Sequence, residues 1–127
     1  MKINFFDRSS IPLLEKEMDL FAVRNKAIAN NIANIATPGY KRVDVSFQNQ
    51  LSNAITESSN PVELSEKVEQ IQPSIEIDRS GSLASGANNV NIDQEMADLA
   101  KNQLQFKLAA RLMSDTLNLI DKSINGV

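Results

Sequence analysis

The sequence predicts a mainly α-helical fold. Its N- and C-terminal helices pair as an antiparallel, coiled-coil-like hairpin, with a short central region of loops, a possible short helix and minor β structure between them. Three observations lead there. Apolar residues recur in alternating steps of three and four at both ends of the 127-residue chain, which makes a narrow seam that needs a partner helix. Turn residues crowd into the middle, where Pro61, Pro73, Gly81 and Gly86 interrupt a polar stretch. One run there, Val43, Val45 and Phe47, alternates with polar neighbours as an extended segment does.

The first helix spans residues 10–36. Ser10 suits the cap, and Pro12 suits the first turn, where its missing N–H costs nothing. Its seam runs through Ile11, Leu14, Met18, Phe21, Asn25, Ile28, Ile32 and Ile35. Thr37-Pro38-Gly39-Tyr40 ends it, because the proline drives Thr37 out of helical geometry and Pro-Gly suits a type II turn. A central, mostly irregular segment covers residues 37–90. Phe47, Leu51 and Ile55 recur at helical spacing and allow a short helix, and Ile75 with Ile77 allows one short strand. Residues 57–79 hold six acids against Lys67 and Arg79, a balance of −4, and the whole polar stretch reads as mobile or partly disordered in a free chain.

The second long helix spans residues 91–125. Asn91 is the cap, with Gln94 as a capping-box partner; Asp93 and Glu95 favour the first turn, and Gly126 is the stop. Its seam runs through Ile92, Met96, Leu99, Gln103, Phe106, Ala110, Met113, Leu117, Ile120 and Ile124. One amide interrupts each seam, Asn25 and Gln103, and such a residue sets register at some cost in stability. These three parts read as one domain built from both ends of the chain.

Each long helix also carries a second apolar face. Leu13 and Leu20, with Ala27 next in line, leave the first seam; Leu104, Leu108, Leu112 and Leu119 lie nearly opposite the second. Two paired helices cover only their facing stripes, and a helix apolar on both sides is normally buried on both sides. The cover must come from the middle segment or from other subunits. The gain from burying the seams is of the same order as the entropy cost of ordering the two helices, so the hairpin is expected to be marginal alone.

Composition removes several kinds of chemistry. The chain has no Cys and no His, hence no disulfide, no thiolate nucleophile and neither of the commonest zinc ligands. A net charge of −3 offers no basic surplus for nucleic acid. Aromatic residues are only 5% and Trp is absent, which argues against a bulky core. Met1-Lys2-Ile3-Asn4-Phe5-Phe6-Asp7-Arg8 is too short in apolar residues for a signal-peptide core, and no stretch nears the roughly 18 apolar residues of a membrane span. On these signals alone the default is a soluble cytoplasmic protein with no cofactor. Carboxylates are the available acid–base groups. Glu95 and Asp98 lie three apart, Glu15 and Asp19 four apart, and both pairs read as solvated helix faces rather than as the site of a hydrolase. A generic coiled-coil adaptor or secretion chaperone is the alternative that the seams allow.

The run Ala29-Asn30-Asn31-Ile32-Ala33-Asn34-Ile35-Ala36-Thr37-Pro38-Gly39-Tyr40-Lys41 is more specific. Asparagines are poor interior helix formers, so three of them near a helix end need a reason. Physically the run is a helix stop with a polar face. It also resembles the signature of the flagellar basal-body rod and hook family: an Asn-x-x-Asn pair, then Thr-x-Gly-aromatic-basic, carried here by Asn31, Ala33, Asn34, Thr37, Pro38, Gly39, Tyr40 and Lys41. Asn88-Asn89-Val90-Asn91-Ile92-Asp93-Gln94-Glu95-Met96 resembles the start of that family's closing helix. The short length, Arg24 ahead of Lys26-Ala27-Ile28-Ala29-Asn30-Asn31, the run Val43-Asp44-Val45-Ser46-Phe47 and the stretch Leu104-Gln105-Phe106 are most similar to the family's short proximal-rod members. The resemblance implies a non-enzymatic subunit exported through the flagellar type III apparatus without a cleaved signal peptide. It implies a place in the hollow rod crossing the periplasm, overriding the cytoplasmic default. The implied partners are further copies, other rod subunits, the rod-to-membrane-ring adaptor and the export apparatus. It also makes the motif an assembly contact.

Overall fold

The computed structural model describes residues 10–81 and 88–126. Gly86 and the Met1–Arg8 stretch discussed above lie outside the described residues. In chain order the elements are α1 (Ile11–Ala33), β1 (Val43–Ser46), α2 (Gln48–Glu57), α3 (Pro61–Glu69), β2 (Ser74–Ile77) and α4 (Ile92–Asn125).

The antiparallel hairpin of α1 and α4 is the frame. The Asn31 side chain meets Glu95, and ten residues back along α1 the Phe21 carbonyl meets Asn102, so the two chains run in opposite directions. α1 stops at Ala33, three residues before the expected Ala36, because the chain tightens into turns from Asn34 onward. In the following turn Tyr40 N–H donates to the Thr37 carbonyl at 3.3 Å, and Gly39 adopts φ +73°, as a type II turn requires of its third residue. At the other end Asn91 accepts from the N–H groups of Asp93 and Gln94, and Gly126 closes α4 in the left-handed region. Gln94 does not complete a capping box: its side-chain amide donates to Asp98 at 3.0 Å, one turn further on.

The seam of α1 lies where its spacing places it as far as Ile32; Ile35 falls beyond the end of the helix and is exposed. Leu14, Phe21 and Ile28 are buried, with Ile11, Met18, Asn25 and Ile32 half-buried beside them. On α4 the expected seam is rotated by one residue. The buried row is Glu95, Asn102, Ala109 and Thr116, a strict seven-residue repeat. Leu99, Met113 and Ile120 remain half-buried at its side, Ala110 also stays half-buried, but Ile92, Met96, Gln103, Phe106, Leu117 and Ile124 turn out to the surface. The physical reason is size and bonding. Ala109 and Thr116 let the helices approach closely, while Glu95 and Asn102 find polar partners on α1 and, for Glu95, at Arg42 just ahead of β1. A rule that seeks only apolar residues selects the neighbouring row.

Leu13 and Leu20 are buried at 1% and 2% exposure, yet not by α4 alone. They join one core with Phe47, Leu51, Ala54, Leu64, Val68 and Ile71, contributed by the middle of the chain, and Ala27 packs on its margin. Phe47 meets Phe21 edge-on at 5.5 Å between ring centres, and the Arg24 guanidinium lies 4.1 Å above the Phe47 ring. Of the two covers the sequence allows for α1, the middle segment supplies this one.

That cover includes α3, a helix within the stretch read above as mobile. Its start signals are local. Asn60 accepts from Glu63 N–H at 3.0 Å, Pro61 opens the helix, and the Glu63 carboxylate accepts from Ser59 N–H at 2.9 Å. Lys67 then pairs with Glu63 at 3.0 Å, one turn along. The acidic composition hid a helix whose apolar face is only Leu64 and Val68, both buried. The expected strands form and pair antiparallel, with Val45 opposite Ile75 and Val43 opposite Ile77. Val45 faces the core, whereas Ile75 and Ile77 are exposed.

Candidate functional site

Two features on this frame carry functional information: a buried polar lock at one end of the hairpin, and an uncovered apolar face along α4.

The lock is built from the motif outward. Asn31 is fully buried on the last full turns of α1. Its amide donates to the Val43 carbonyl at 2.8 Å and accepts from the Val43 N–H at 2.9 Å, so one side chain stands in for a neighbouring strand. It donates further to Glu95 at 3.0 Å and accepts from the Tyr40 hydroxyl at 3.0 Å, which exhausts its capacity. Glu95 is fully buried too, and its second oxygen accepts from the Arg42 guanidinium. Arg42 also reaches Asp98 at 3.3 Å and Asp44 at 3.6 Å. Two asparagines ahead of α4 complete the lock. Asn89 accepts from Arg42 N–H at 2.7 Å and donates to the Asp78 carbonyl at 2.9 Å. The Asn88 amide donates to the carbonyls of Asn34, Ile35 and Thr37 in the turns that follow α1.

The electrostatics follow from burial. Burial would lower the Arg42 basicity, but the hydrogen bond and charge of Glu95, with Asp44 and Asp98, outweigh it and raise it above the ordinary value. Burial first, then the Glu95 charge, raises the Tyr40 phenol. Arg24, beside the lock, is lowered by burial against the pull of Asp44 and Asp98. The groups hold one another's charges and lone pairs. Nothing in this arrangement presents a nucleophile to a substrate.

The motif residues separate into two groups. Asn31, Asn34, Thr37, Gly39 and Tyr40 are tied into the lock or the turn; Asn34 donates to the Asn30 carbonyl at 2.8 Å and accepts from the Thr37 hydroxyl at 3.1 Å. Ala33 and Pro38 face outward, and Lys41 is half-buried. Glu95, read above as part of a solvated helix face, is the opposite: its neighbours Arg42 and Asn31 compensate a fully buried carboxylate. Glu15 and Asp19 do lie exposed on α1. Sequence reasoning passed over Arg42 and Asn102, and treated Asn88 and Asn89 only as a prelude to α4. The seven-residue recurrence of Glu95, Asn102, Ala109 and Thr116 was the available signal.

The second feature is the outer face of α4. Leu104, Leu108 and Leu119 are 69%, 60% and 44% exposed, and Leu112 alone of the four is half-buried against the core. Met96, Leu117 and Ile124 add to the exposed apolar surface. Isolated exposed leucines are ordinary; here several share one 34-residue helix and leave an uncovered apolar face. Among the described residues no helix is long and apolar enough to cross a membrane.

Comparison with known proteins bears on both features. The family described as flagella basal body rod protein matches residues 18–41, the part of α1 and the turn that hold Asn31 and Tyr40. The flagellar basal body rod protein FlgB of Bacillus subtilis is 33% identical over 92% of this chain and 94% of its own length. FlgB of Borreliella burgdorferi is 30% identical over 98% of both chains, and FlgB of Aquifex aeolicus is 23% identical over 91% of this chain and 93% of its own length.

Proposed function

The chain belongs to the flagellar basal-body rod protein family, with its similarity to FlgB members, and from that premise we propose that it is a proximal-rod subunit that polymerises into the flagellar drive shaft and export channel. Its place as a structural component of the basal-body rod, alongside other rod proteins, follows from the family. The finer reading is an axial subunit without catalytic activity. It is exported without a cleaved leader, crosses the periplasm in the assembled rod, and meets further copies, other rod subunits, the rod-to-membrane-ring adaptor and the export apparatus. The motif contributes by holding the end of the hairpin in shape for those neighbours.

The observation that carries this reading is the uncovered face of α4. The middle segment covers the second face of α1 and leaves Leu104, Leu108 and Leu119 bare. Head-to-tail burial of such a face repeats without closing, as a shaft requires. The test is Leu108→Asp in cells that lack the native subunit. The variant chain is expected to be exported, to keep the wild-type circular dichroism spectrum, and to be missing from purified basal bodies. Normal incorporation and swimming would overturn the reading.

A further inference from the structure

The two edges of the small sheet are treated differently. Both backbone groups of Val43 go to the Asn31 side chain, and the Val45 carbonyl accepts from Arg24, so these residues of β1 turn away from β2. The ladder between the strands therefore runs through Arg42, Asp44 and Ser46, and Asp78 N–H donates to the Arg42 carbonyl at 2.8 Å. Val43 and Val45 stand opposite Ile77 and Ile75, so the N–H and C=O groups of these two isoleucines point outward. Among the described residues β2 pairs with β1 alone, and its outer edge has no cap of the kind that Asn31 and Arg24 give β1. The apolar side of the strand is open as well. Ile75 and Ile77 are 63% and 56% exposed, and a groove of about 370 Å³ lies between Ile75 and α1, with Val23, Ala27, Val43 and Val45 in its lining.

We propose that the outer edge of β2 takes residues 1–5 of a second copy as a third strand, each copy lending this arm to one neighbour and receiving one from another. The proposal rests on the rod-subunit reading and adds a specific contact to it. An open edge recruits an extended segment through main-chain hydrogen bonds, and alternate side chains select which segment. The chain carries a matching one: Met1, Ile3 and Phe5 alternate with Lys2 and Asn4. Laid antiparallel with Phe5 opposite Ile75 and Ile3 opposite Ile77, it sets two apolar side chains on the exposed isoleucines. The same register puts Lys2 opposite Asp78 and diagonal to Glu76. A slip by one residue would turn Lys2 and Asn4 onto the apolar side instead. A chain's own arm is too short to do this. The five steps from Phe5 to Ser10 reach about 17 Å. Val23, the α1 residue of the groove nearest the start of the helix, lies about 20 Å along it from Ser10, and β2 stands off to the side. The arm therefore comes from a neighbour. A contact between two different surfaces repeats head to tail, as the rod-subunit reading needs.

The chain has no cysteine, so disulfide cross-linking tests the contact without background. In this register Asn4 stands opposite Glu76, at a spacing that a disulfide spans. The full-length Asn4→Cys/Glu76→Cys chain, oxidised in air at millimolar concentration, is expected to run on a non-reducing denaturing gel as a ladder of dimers, trimers and longer species. Reductant should collapse the ladder to monomer. Asn4→Cys/Asn118→Cys, with its second cysteine on the exposed side of α4, is the control and should give no ladder. Monomer alone, a monomer closed by an internal disulfide, dimers alone, or an equal ladder from the control each overturns the proposal. Two additions to the Asn4→Cys/Glu76→Cys chain probe the two sides. Ile77→Pro removes an outward N–H that β1 does not use, and Ile3→Asp puts a charge on the apolar side of the arm. Each should weaken the ladder about tenfold with the circular dichroism spectrum unchanged. An undiminished ladder from Ile3→Asp overturns the proposal even where Ile77→Pro disturbs the fold. The Leu108→Asp variant separates this proposal from the reading beneath it. If Leu108→Asp is excluded from basal bodies and the ladder is absent, the arm proposal alone fails. If Leu108→Asp is incorporated, the rod-face reading fails.

Discussion

Asn31 satisfies four groups at once: both backbone groups of Val43, the Tyr40 hydroxyl and one oxygen of Glu95, whose other oxygen takes the Arg42 guanidinium. A motif that reads from sequence as a helix stop with a polar face is therefore an internal joint. The residue types were legible; the joint was not, since its other half lies 64 positions away at Glu95 and no local pattern links the two. Replacing Glu95 by alanine should cost about 3 kcal/mol, because it strands a partly buried guanidinium and an amide donor together. Denaturant titration of the isolated chain checks this; a cost below about 1 kcal/mol would mean that water replaces the carboxylate freely. Glu17 gives the opposite sign. Burial raises its pKa above the ordinary value of 4.5. A carboxyl whose folded pKa is raised favours folding below its unfolded value and loses that contribution as pH climbs through the folded value. Glu17→Gln should therefore melt higher than the wild type at pH 7, with the gap closing as the solution is acidified toward pH 4.

At the scale of elements, the two long helices were readable because their apolar spacing persists over many turns and their ends carry strong signals, Asn91 and Gly126 above all. The face that α4 turns inward was misread, since its row is small and polar where the rule looks for large and apolar. α3 was missed for a related reason: nine residues with two buried side chains make a weak pattern, and only Asn60 and Pro61 announce it. These differences make a testable contrast between two leucines that the sequence treats alike. Leu20→Ala should cost about 3 kcal/mol, because Leu20 is 2% exposed within the core that the middle of the chain completes. Leu104→Ala, at a site 69% exposed, should shift the isolated chain by less than about 0.5 kcal/mol. In the turn after α1, Gly39→Ala meets no atom within 4 Å, so its cost comes from backbone geometry alone at φ +73°, about 1 kcal/mol. Urea unfolding of the three variants reads all of these directly.

The whole molecule is a hairpin clothed on one side. The middle of the chain wraps α1 and leaves α4 bare, so the free chain has a better core than two seams alone provide, yet keeps an apolar flank for its neighbours. Its melting midpoint should rise with protein concentration, as for any fold whose exposed surface is covered by association. A midpoint independent of concentration, measured from micromolar to millimolar, would count against that. The polar lock has a consequence in time as well as in space. Residues 10–81 hold α1, α2, α3 and both strands, all joined by short loops, whereas the Arg42–Glu95 and Asn31–Glu95 contacts close across 53 and 64 positions. Contacts of such separation form late, because the loop must close before they reward it. Until α4 docks, Arg42 has no Glu95 to meet and Asn31 lacks its fourth bond. Weakening this lock should therefore speed unfolding and leave the folding rate nearly unchanged, the behaviour of a clasp fastened after the garment is on.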